Sequence, residues 1–130
     1  KYRGLPNEVD FSTAISMAGE VQIELVEQHC ENPSCYRDMF RKGQEGFHHV
    51  AVVCDDYWQE VERYKSQKYE LAFEGVFGPT NFCYVDTRAD ISCMVELLED
   101  TDQIRTFFDA IKKGCADWDG SKPIRTVADL

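Results

Sequence analysis

The chain contains one short pattern twice, as Gln22-Ile23-Glu24-Leu25-Val26-Glu27 and, 72 residues later, as Met94-Val95-Glu96-Leu97-Leu98-Glu99. In both runs a glutamate interrupts a stretch of aliphatic and β-branched residues, a composition typical of a strand. Each run, predicted as a strand over 21–27 or 92–98, follows a second strand-like segment, at 10–17 or 82–86, and precedes a helix-like segment. The order strand, strand, helix therefore occurs twice, which indicates an internal repeat.

The helices of the two copies are predicted at 34–42 and 102–113, where Tyr-Arg-Asp-Met-Phe at 36–40 corresponds to Ile-Arg-Thr-Phe-Phe at 104–108. Both segments run into a Lys-Gly pair, which is typical of a helix end. The candidate N-caps are Ser34 and Thr101 or Asp102, and the candidate residues just beyond the helix ends are Gly43 and Gly114.

The second copy has more sequence in front of it than the first. Residues 47–53 and 69–74 predict strands, and the segment 56–66 between them predicts a helix. The second unit is thus β-α-β-β-β. Asp56 is the candidate N-cap of this helix. Its inner face is predicted to carry Trp58, Val61 and Tyr64.

The first copy lacks an opening strand and helix. Shifting His49 back by the same 72 residues gives position −23, which is upstream of Lys1. Because a strand and its crossover helix take up roughly 30 residues, we expect about that many to precede Lys1 in the natural protein.

Together these units predict an α+β fold of two tandem βαβββ modules with mixed sheets, in which the first module is incomplete at its N-terminus. A chain of 130 residues suits one hydrophobic core, so we expect a single domain over 1–130. Residues 1–45 would form the remnant of the first module and a bridging helix, and residues 46–130 the second module and a C-terminal tail. Tyr2 and Arg3 are expected in the strand that enters the first sheet.

Several stretches resemble glyoxalase-like members of the glyoxalase/bleomycin-resistance/dioxygenase superfamily, which has the vicinal-oxygen-chelate fold. They are the paired Ile-Glu-Leu and Val-Glu-Leu strands and the runs Gly46-Phe47-His48-His49-Val50-Ala51, Phe82-Cys83-Tyr84-Val85-Asp86-Thr87 and Ala116-Asp117-Trp118-Asp119-Gly120-Ser121-Lys122-Pro123-Ile124-Arg125. The resemblance covers essentially the whole chain. It implies tandem modules around a cavity, a small-molecule substrate, a divalent metal ion in some members, and a homodimer.

Three residues are candidate metal ligands. Alternation along a strand turns only one of His48 and His49 towards the cavity. Glu24 and Glu96 lie within otherwise apolar strands, where a carboxylate is costly to bury unless it is paired or binds a metal. The resemblance implies that His49 is the ligand, with His48 on the helix-covered or rim side, and that Glu24 and Glu96 also occupy ligand positions.

This N/O ligand set suits zinc, nickel, cobalt, manganese or iron. The fourth ligand of the family would lie on the missing first strand. The alternative is a core histidine and paired strand glutamates that bind no metal.

Other polar residues are less informative. Tyr84 and Arg88 flank the predicted cavity mouth, where an arginine could bind a carboxylate or phosphate, but the favoured interpretation is that both are surface residues. His29 is expected in a loop, and Trp118 is expected to pack the tail onto the fold. The sequence has no Gly-x-Ser-x-Gly motif, no phosphate-binding glycine loop and no cysteine with an evident base nearby, which disfavours covalent catalysis.

The composition of the chain limits the classes of partner that it can bind. The net charge of −10 would repel a phosphate backbone, so nucleic acid is disfavoured. No apolar run approaches the ~20 residues that span a bilayer, so we expect no membrane insertion. The six cysteines include no Cys-x-x-Cys pair, which favours free thiols in a reducing cytoplasm.

The leading functional hypothesis is an isomerase or lyase that uses a divalent metal to promote proton transfer on a small α-oxo or acyl-thioester substrate. Glu96 or Glu24 would be both ligand and catalytic proton carrier. One alternative is a metal-free small-molecule-binding module of the bleomycin-resistance type. The other is an extradiol-type dioxygenase, which is disfavoured because it needs two histidine ligands.

Overall fold

The computed structural model describes residues 1–129 and has an α+β fold. In chain order its elements are β1 (Phe11–Ala18), β2 (Val21–Gln28), β3 (His49–Cys54), α1 (Tyr57–Ser66), β4 (Leu71–Phe77), β5 (Thr80–Val85), α2 (Arg88–Ile91), β6 (Met94–Glu99), α3 (Asp102–Ala116) and a 3-10 turn at Val127–Asp129. All six predicted strands are present, with ends shifted by at most three residues. None of the helices within residues 1–129 is long and apolar enough to cross a membrane.

The strands form two sheets. β1 and β2 make a two-stranded antiparallel hairpin, and the other four strands form one mixed sheet in the order β3-β6-β5-β4. β3 is parallel to β6, whereas the other neighbours are antiparallel. Parallel strands need a long crossover connection, which α1, β4 and β5 provide here. In this order β6 lies inside the sheet, with β3 on one side and β5 on the other.

Helix α1 covers one face of the mixed sheet. Its first turn is capped by Asp56, whose carboxylate accepts a hydrogen bond of 3.0 Å from the Gln59 backbone N–H. Tyr57 and Val61 are buried in one cluster with Leu97 of β6. The predicted helix and its cap are therefore confirmed.

The buried stripe of α1 differs from the predicted one. Trp58 was expected on the inner face, but it is 61% exposed. The buried positions are Tyr57 and Val61, with Tyr64 packed beside them, because residues at i, i+4 and i+7 share one helix face. Trp58 lies about 100° away from that stripe.

The opposite face of the mixed sheet, which we call the inner face, carries Met94 and Glu96 of β6 and Tyr84 of β5. Part of it belongs to a buried cluster formed by Cys35, Tyr36, Ala72, Phe73, Tyr84 and Met94. The β1–β2 hairpin packs against this cluster through Phe11 and Val26. The hairpin is thus anchored on the inner face, which α1 leaves free.

No helix forms over 34–42, contrary to the sequence prediction. This segment is a series of turns at 35–39. The Cys35 carbonyl faces the His48 ring at 3.1 Å, and the Asp38 carbonyl accepts from the Arg88 guanidinium at 2.8 Å. A helix would need both carbonyls for its own N–H groups, so these tertiary contacts compete with helical bonding.

The end of α3 was also predicted wrongly. Thr101 caps its start, as expected, by accepting a hydrogen bond from the Ile104 N–H. Gly114, however, lies inside the helix, which continues to Ala116 and ends at Asp117. The short helix α2 has no counterpart in the sequence prediction.

Residues 1–3 extend the mixed sheet rather than the first one. The Arg3 N–H donates to the Ala72 carbonyl and the Glu74 N–H donates to the Lys1 carbonyl, beside β4. The expectation that Tyr2 and Arg3 enter the first unit's sheet is therefore wrong.

Charged side chains hold this N-terminal segment in place. The Arg3 guanidinium lies 2.7 Å from Asp38 and 2.8 Å from Asp86, and it also contacts Glu70. Arg88 pairs with Asp86 at 2.7 Å. Hydrogen bonds from Arg88 and Arg3 hold the pKa of Asp86 well below its usual range, despite its partial burial.

The repeat provides a matched test of core packing. Leu97 is 1% exposed, whereas Leu25, 72 residues earlier in the same pattern, is 67% exposed. We expect Leu97→Ala to lower the free energy of unfolding by about 2–5 kcal/mol, because it leaves a cavity under α1. Leu25→Ala should change it by less than about 0.5 kcal/mol. Urea unfolding of both variants measures this, and equal losses would mean that the outer face of β2 is covered in solution.

A second test concerns Asp86. Its pKa is lower in the folded than in the unfolded chain, so its contribution to stability is present above the unfolded pKa of about 4 and is lost as the pH falls below it. We expect Asp86→Asn to lower the free energy of unfolding at pH 7 by about 1–3 kcal/mol. The difference between the two proteins should shrink between about pH 5 and pH 2.

Denaturant unfolding at a series of pH values measures this difference. The control is Glu62→Gln, which removes an exposed partner of Lys65 and should have little effect at any pH. A difference for Asp86→Asn that does not change with pH would contradict the prediction.

Candidate metal centre

Three strands bring the predicted ligands to one place. β3 and β6 lie side by side, with His49 beside Met94 and Ala51 beside Glu96. Because paired residues point the same way, His49 and Glu96 both lie on the inner face. Glu24 comes from β2, on the side of the hairpin that packs against this face.

The side chains of Glu24, His49 and Glu96 converge. His49 Nε2 lies 3.2 Å from a Glu24 carboxylate oxygen and 3.6 Å from a Glu96 carboxylate oxygen. One ligand atom from each residue lies within 4.8 Å of the other two. Atoms bound at about 2.1 Å to one ion can lie no more than about 4.2 Å apart, so both histidine–carboxylate separations suit a shared ion.

The chemistry of this group also fits a divalent ion. One imidazole nitrogen and two carboxylates form a mixed N/O donor set that zinc, nickel, cobalt, manganese and iron all accept. Their side chains are 10%, 24% and 14% exposed for His49, Glu24 and Glu96, respectively. The group is therefore largely shielded from solvent, although each side chain keeps some exposure. Its role in metal binding stays a prediction.

Burial controls the charge of Glu96. It raises the pKa of this carboxyl to about 7, against the opposing effect of His49 and with a further increase from Glu24. Two carboxylates that share a site repel each other, so the charged form of both is favoured only when a cation lies between them. His49 or a metal ion can supply that positive charge.

Below the three residues lies a layer of aromatic rings. The Tyr84 ring meets His49 edge-on at 5.0 Å and His48 at 5.5 Å, and the Tyr36 ring lies 4.9 Å from His48. Tyr84 is almost fully buried, so its interpretation as a surface residue was wrong.

The prediction placed His48 on the helix-covered or rim side, and the structure shows that this is wrong. Strand β3 begins at His49, so the alternation of a strand does not extend to His48. Its ring packs against Tyr36 and Tyr84 instead, and burial lowers the pKa of the ring to about 4. The sequence shows that His48 is adjacent to His49, but the orientation of the His48 side chain depends on where strand β3 begins.

The remaining residues that the sequence singled out lie outside this site. Arg88 is engaged by Asp86, and His29 Nε2 lies 2.7 Å from the Ser12 hydroxyl at an exposed position. Trp118 is about half exposed beyond α3. The six cysteines are free thiols, as expected.

A broad, open cleft of about 810 Å³ is lined by Tyr69, Glu70, Asp86, Arg88 and Asp90 among others, and by none of the three candidate ligands. Four of its polar side chains are already paired, with Tyr69 donating to Asp90 and Arg88 to Asp86. This cleft is therefore a weaker candidate for a functional site than the group of Glu24, His49 and Glu96.

Comparison with known proteins identifies a family. The family model for the glyoxalase/bleomycin resistance protein/dioxygenase superfamily matches residues 1–85. This segment contains Glu24 and His49 and ends before β6, so Glu96 lies outside it. No curated protein matches the chain with significance.

Proposed function

Because the chain belongs to the glyoxalase/bleomycin resistance protein/dioxygenase superfamily, we propose that it is a glyoxalase-like enzyme, an isomerase or lyase. It would use a divalent metal to promote proton transfer on a small α-oxo or acyl-thioester substrate. The observation that carries this proposal is the convergence of Glu24, His49 and Glu96 within 4.8 Å of one another.

His49, Glu24 and Glu96 would hold the ion. When bound, such an ion acts as a Lewis acid that polarises a substrate carbonyl and makes the neighbouring carbon more acidic. Glu96 suits the transfer of that proton, because its carboxylate lies 3.6 Å from His49 Nε2 and would be next to the carbonyl that the ion polarises. Glu24, on the opposite wall and more exposed, suits the orientation of the ion and substrate.

The division into two modules is part of this proposal. Residues 1–45 would belong to a first βαβββ module and residues 46–130 to a second module with its tail. The pairing of positions 72 residues apart supports this, since Glu24 and Glu96 both reach the same site. A small-molecule substrate, a homodimer and a cytoplasmic location complete the proposal.

A metal-free binding module of the bleomycin-resistance type is the second candidate. It is favoured by the 3.2 Å contact between His49 and Glu24, which can satisfy both groups as an ion pair without a metal. An extradiol-type dioxygenase is disfavoured, because His48 Nε2 faces the Cys35 carbonyl at 3.1 Å and so is turned away from the two carboxylates.

The first functional prediction concerns metal affinity. We expect the protein to bind Zn²⁺, Ni²⁺, Co²⁺ or Mn²⁺ at one site, and we expect His49→Ala, Glu24→Gln and Glu96→Gln each to weaken binding at least about 10-fold, since each removes a ligand. Isothermal titration calorimetry of the metal-free protein measures this.

The matched control is Glu27→Gln. Glu27 lies on β2 three residues from Glu24, but alternation turns it to the exposed side. This variant should bind metal like the unmodified protein. Equal affinities for the site variants and the control would exclude the three residues as ligands, and the absence of any metal binding would favour the binding module.

The second functional prediction concerns proton transfer. In deuterated water, the metal-loaded protein should exchange the hydrogen next to the carbonyl of an α-oxo or acyl-thioester substrate, which NMR detects directly. At metal concentrations that saturate each variant, Glu96→Gln should slow this exchange by about 10²–10⁴-fold, because the proton acceptor is lost.

Glu27→Gln again is the control and should exchange at the unmodified rate. Exchange that is equally fast in Glu96→Gln would remove Glu96 from the mechanism. A protein that binds such compounds tightly and exchanges no hydrogen would instead be a binding module.

A further inference from the structure

A row of three polar groups leads from the backbone to His49. His48 Nε2 lies 3.1 Å from the Cys35 carbonyl oxygen, and His48 Nδ1 lies 3.0 Å from His49 Nδ1. The remaining nitrogen, His49 Nε2, faces Glu24 and Glu96. Each of the four ring nitrogens therefore has at least one defined polar neighbour.

The protons on this row can be assigned from donor and acceptor chemistry. A carbonyl oxygen only accepts, so His48 Nε2 must carry a proton and donate it to Cys35. The His48 ring is packed between Tyr36 and Tyr84, and such burial disfavours its charged form, so the other nitrogen, Nδ1, has a lone pair and accepts. Two nitrogens at 3.0 Å need one donor between them, so His49 Nδ1 carries a proton and donates it to His48.

We propose that His48 is a positioning residue, whose hydrogen bond from His49 Nδ1 fixes the proton of His49 on that nitrogen and so leaves Nε2 to bind a metal ion. The part of this inference that concerns metal binding rests on the proposed function. The placement of the protons on His48 and His49 does not. Hydrogen bonds to the second nitrogen of a histidine ligand set its tautomer and ring orientation.

Packing keeps His48 in this position. Its ring lies between Tyr36 and Tyr84, with centroids at 4.9 and 5.5 Å, and Cys35 is fully buried. The turns at 35–39 present the Cys35 carbonyl to His48, whereas in a continuous helix this carbonyl would also accept a hydrogen bond from its own helix. The absence of that helix thus leaves an acceptor free for His48.

The test begins with the metal-free protein labelled with ¹⁵N in its three histidines. Nitrogen–proton correlation spectra distinguish a ring nitrogen that carries a proton from one that does not. We expect His48 to be protonated at Nε2 and bare at Nδ1, and His49 to carry a proton at Nδ1. A proton on His48 Nδ1, or a bare His49 Nδ1, would overturn the inference whether or not the protein binds metal.

Two variants then separate hydrogen bonding from packing. His48→Phe keeps a ring between Tyr36 and Tyr84 but removes the acceptor, and we expect it to weaken Zn²⁺ binding about 10–100-fold. His48→Asn has a smaller side chain, but its Oδ1 can accept from His49 Nδ1, so it should recover most of that affinity and the Nδ1 proton. Calorimetry measures the affinity, and circular dichroism checks that each variant is folded.

His29→Asn is the matched control, because it replaces a histidine outside the site and should leave Zn²⁺ affinity and the spectra of His48 and His49 unchanged. If His48→Asn binds Zn²⁺ as weakly as His48→Phe, or His48→Phe binds as tightly as the unmodified protein, the positioning role is wrong. If the unmodified protein binds no Zn²⁺, the proposed function fails, and the spectra alone decide where the protons lie.

Discussion

The parallel pairing of β3 with β6 is the constraint on which the site depends. It sets His49 and Glu96 on neighbouring strands, two positions apart in register and on the same face. A slip of one residue would turn Glu96 into the layer covered by α1, where its carboxylate would be buried among apolar side chains. The apolar residues on either side of Glu96 prevent this slip, because Val95 and Leu97 are buried under α1.

The sequence predicted the parts of this arrangement that depend on short-range patterns. The 72-residue repeat identified β2 and β6, and the glutamate within each apolar run drew attention to Glu24 and Glu96. Capping residues gave the starts of α1 and α3, since Asp56 and Thr101 act within one turn. The choice of His49 needed the family resemblance, because alternation alone left both histidines open.

The parts that the sequence did not predict depend on long-range contacts. The segment 34–42 has a helix-like pattern, but its carbonyls bond to His48 and Arg88, which lie far along the chain. Tyr84 and His48 were placed wrongly because their surroundings are built by several separate segments. No local sequence pattern predicts which distant side chain will compete for a backbone carbonyl, or which aromatic ring will pack beneath a metal-ligating residue.

The weakest support of the site is the hairpin that carries Glu24. A two-stranded hairpin is marginally stable by itself, and the outer side of β2 exposes Val21, Ile23 and Leu25. Its position depends on Phe11 and Val26, which pack on the buried cluster of the inner face, and on contacts of β1 with α3, where Lys112 also pairs with Glu20 of the hairpin turn. His49 and Glu96, by contrast, lie within a four-stranded sheet. It follows that the two ligands on the sheet form a fixed half of the site, and that the hairpin sets how closely Glu24 completes it.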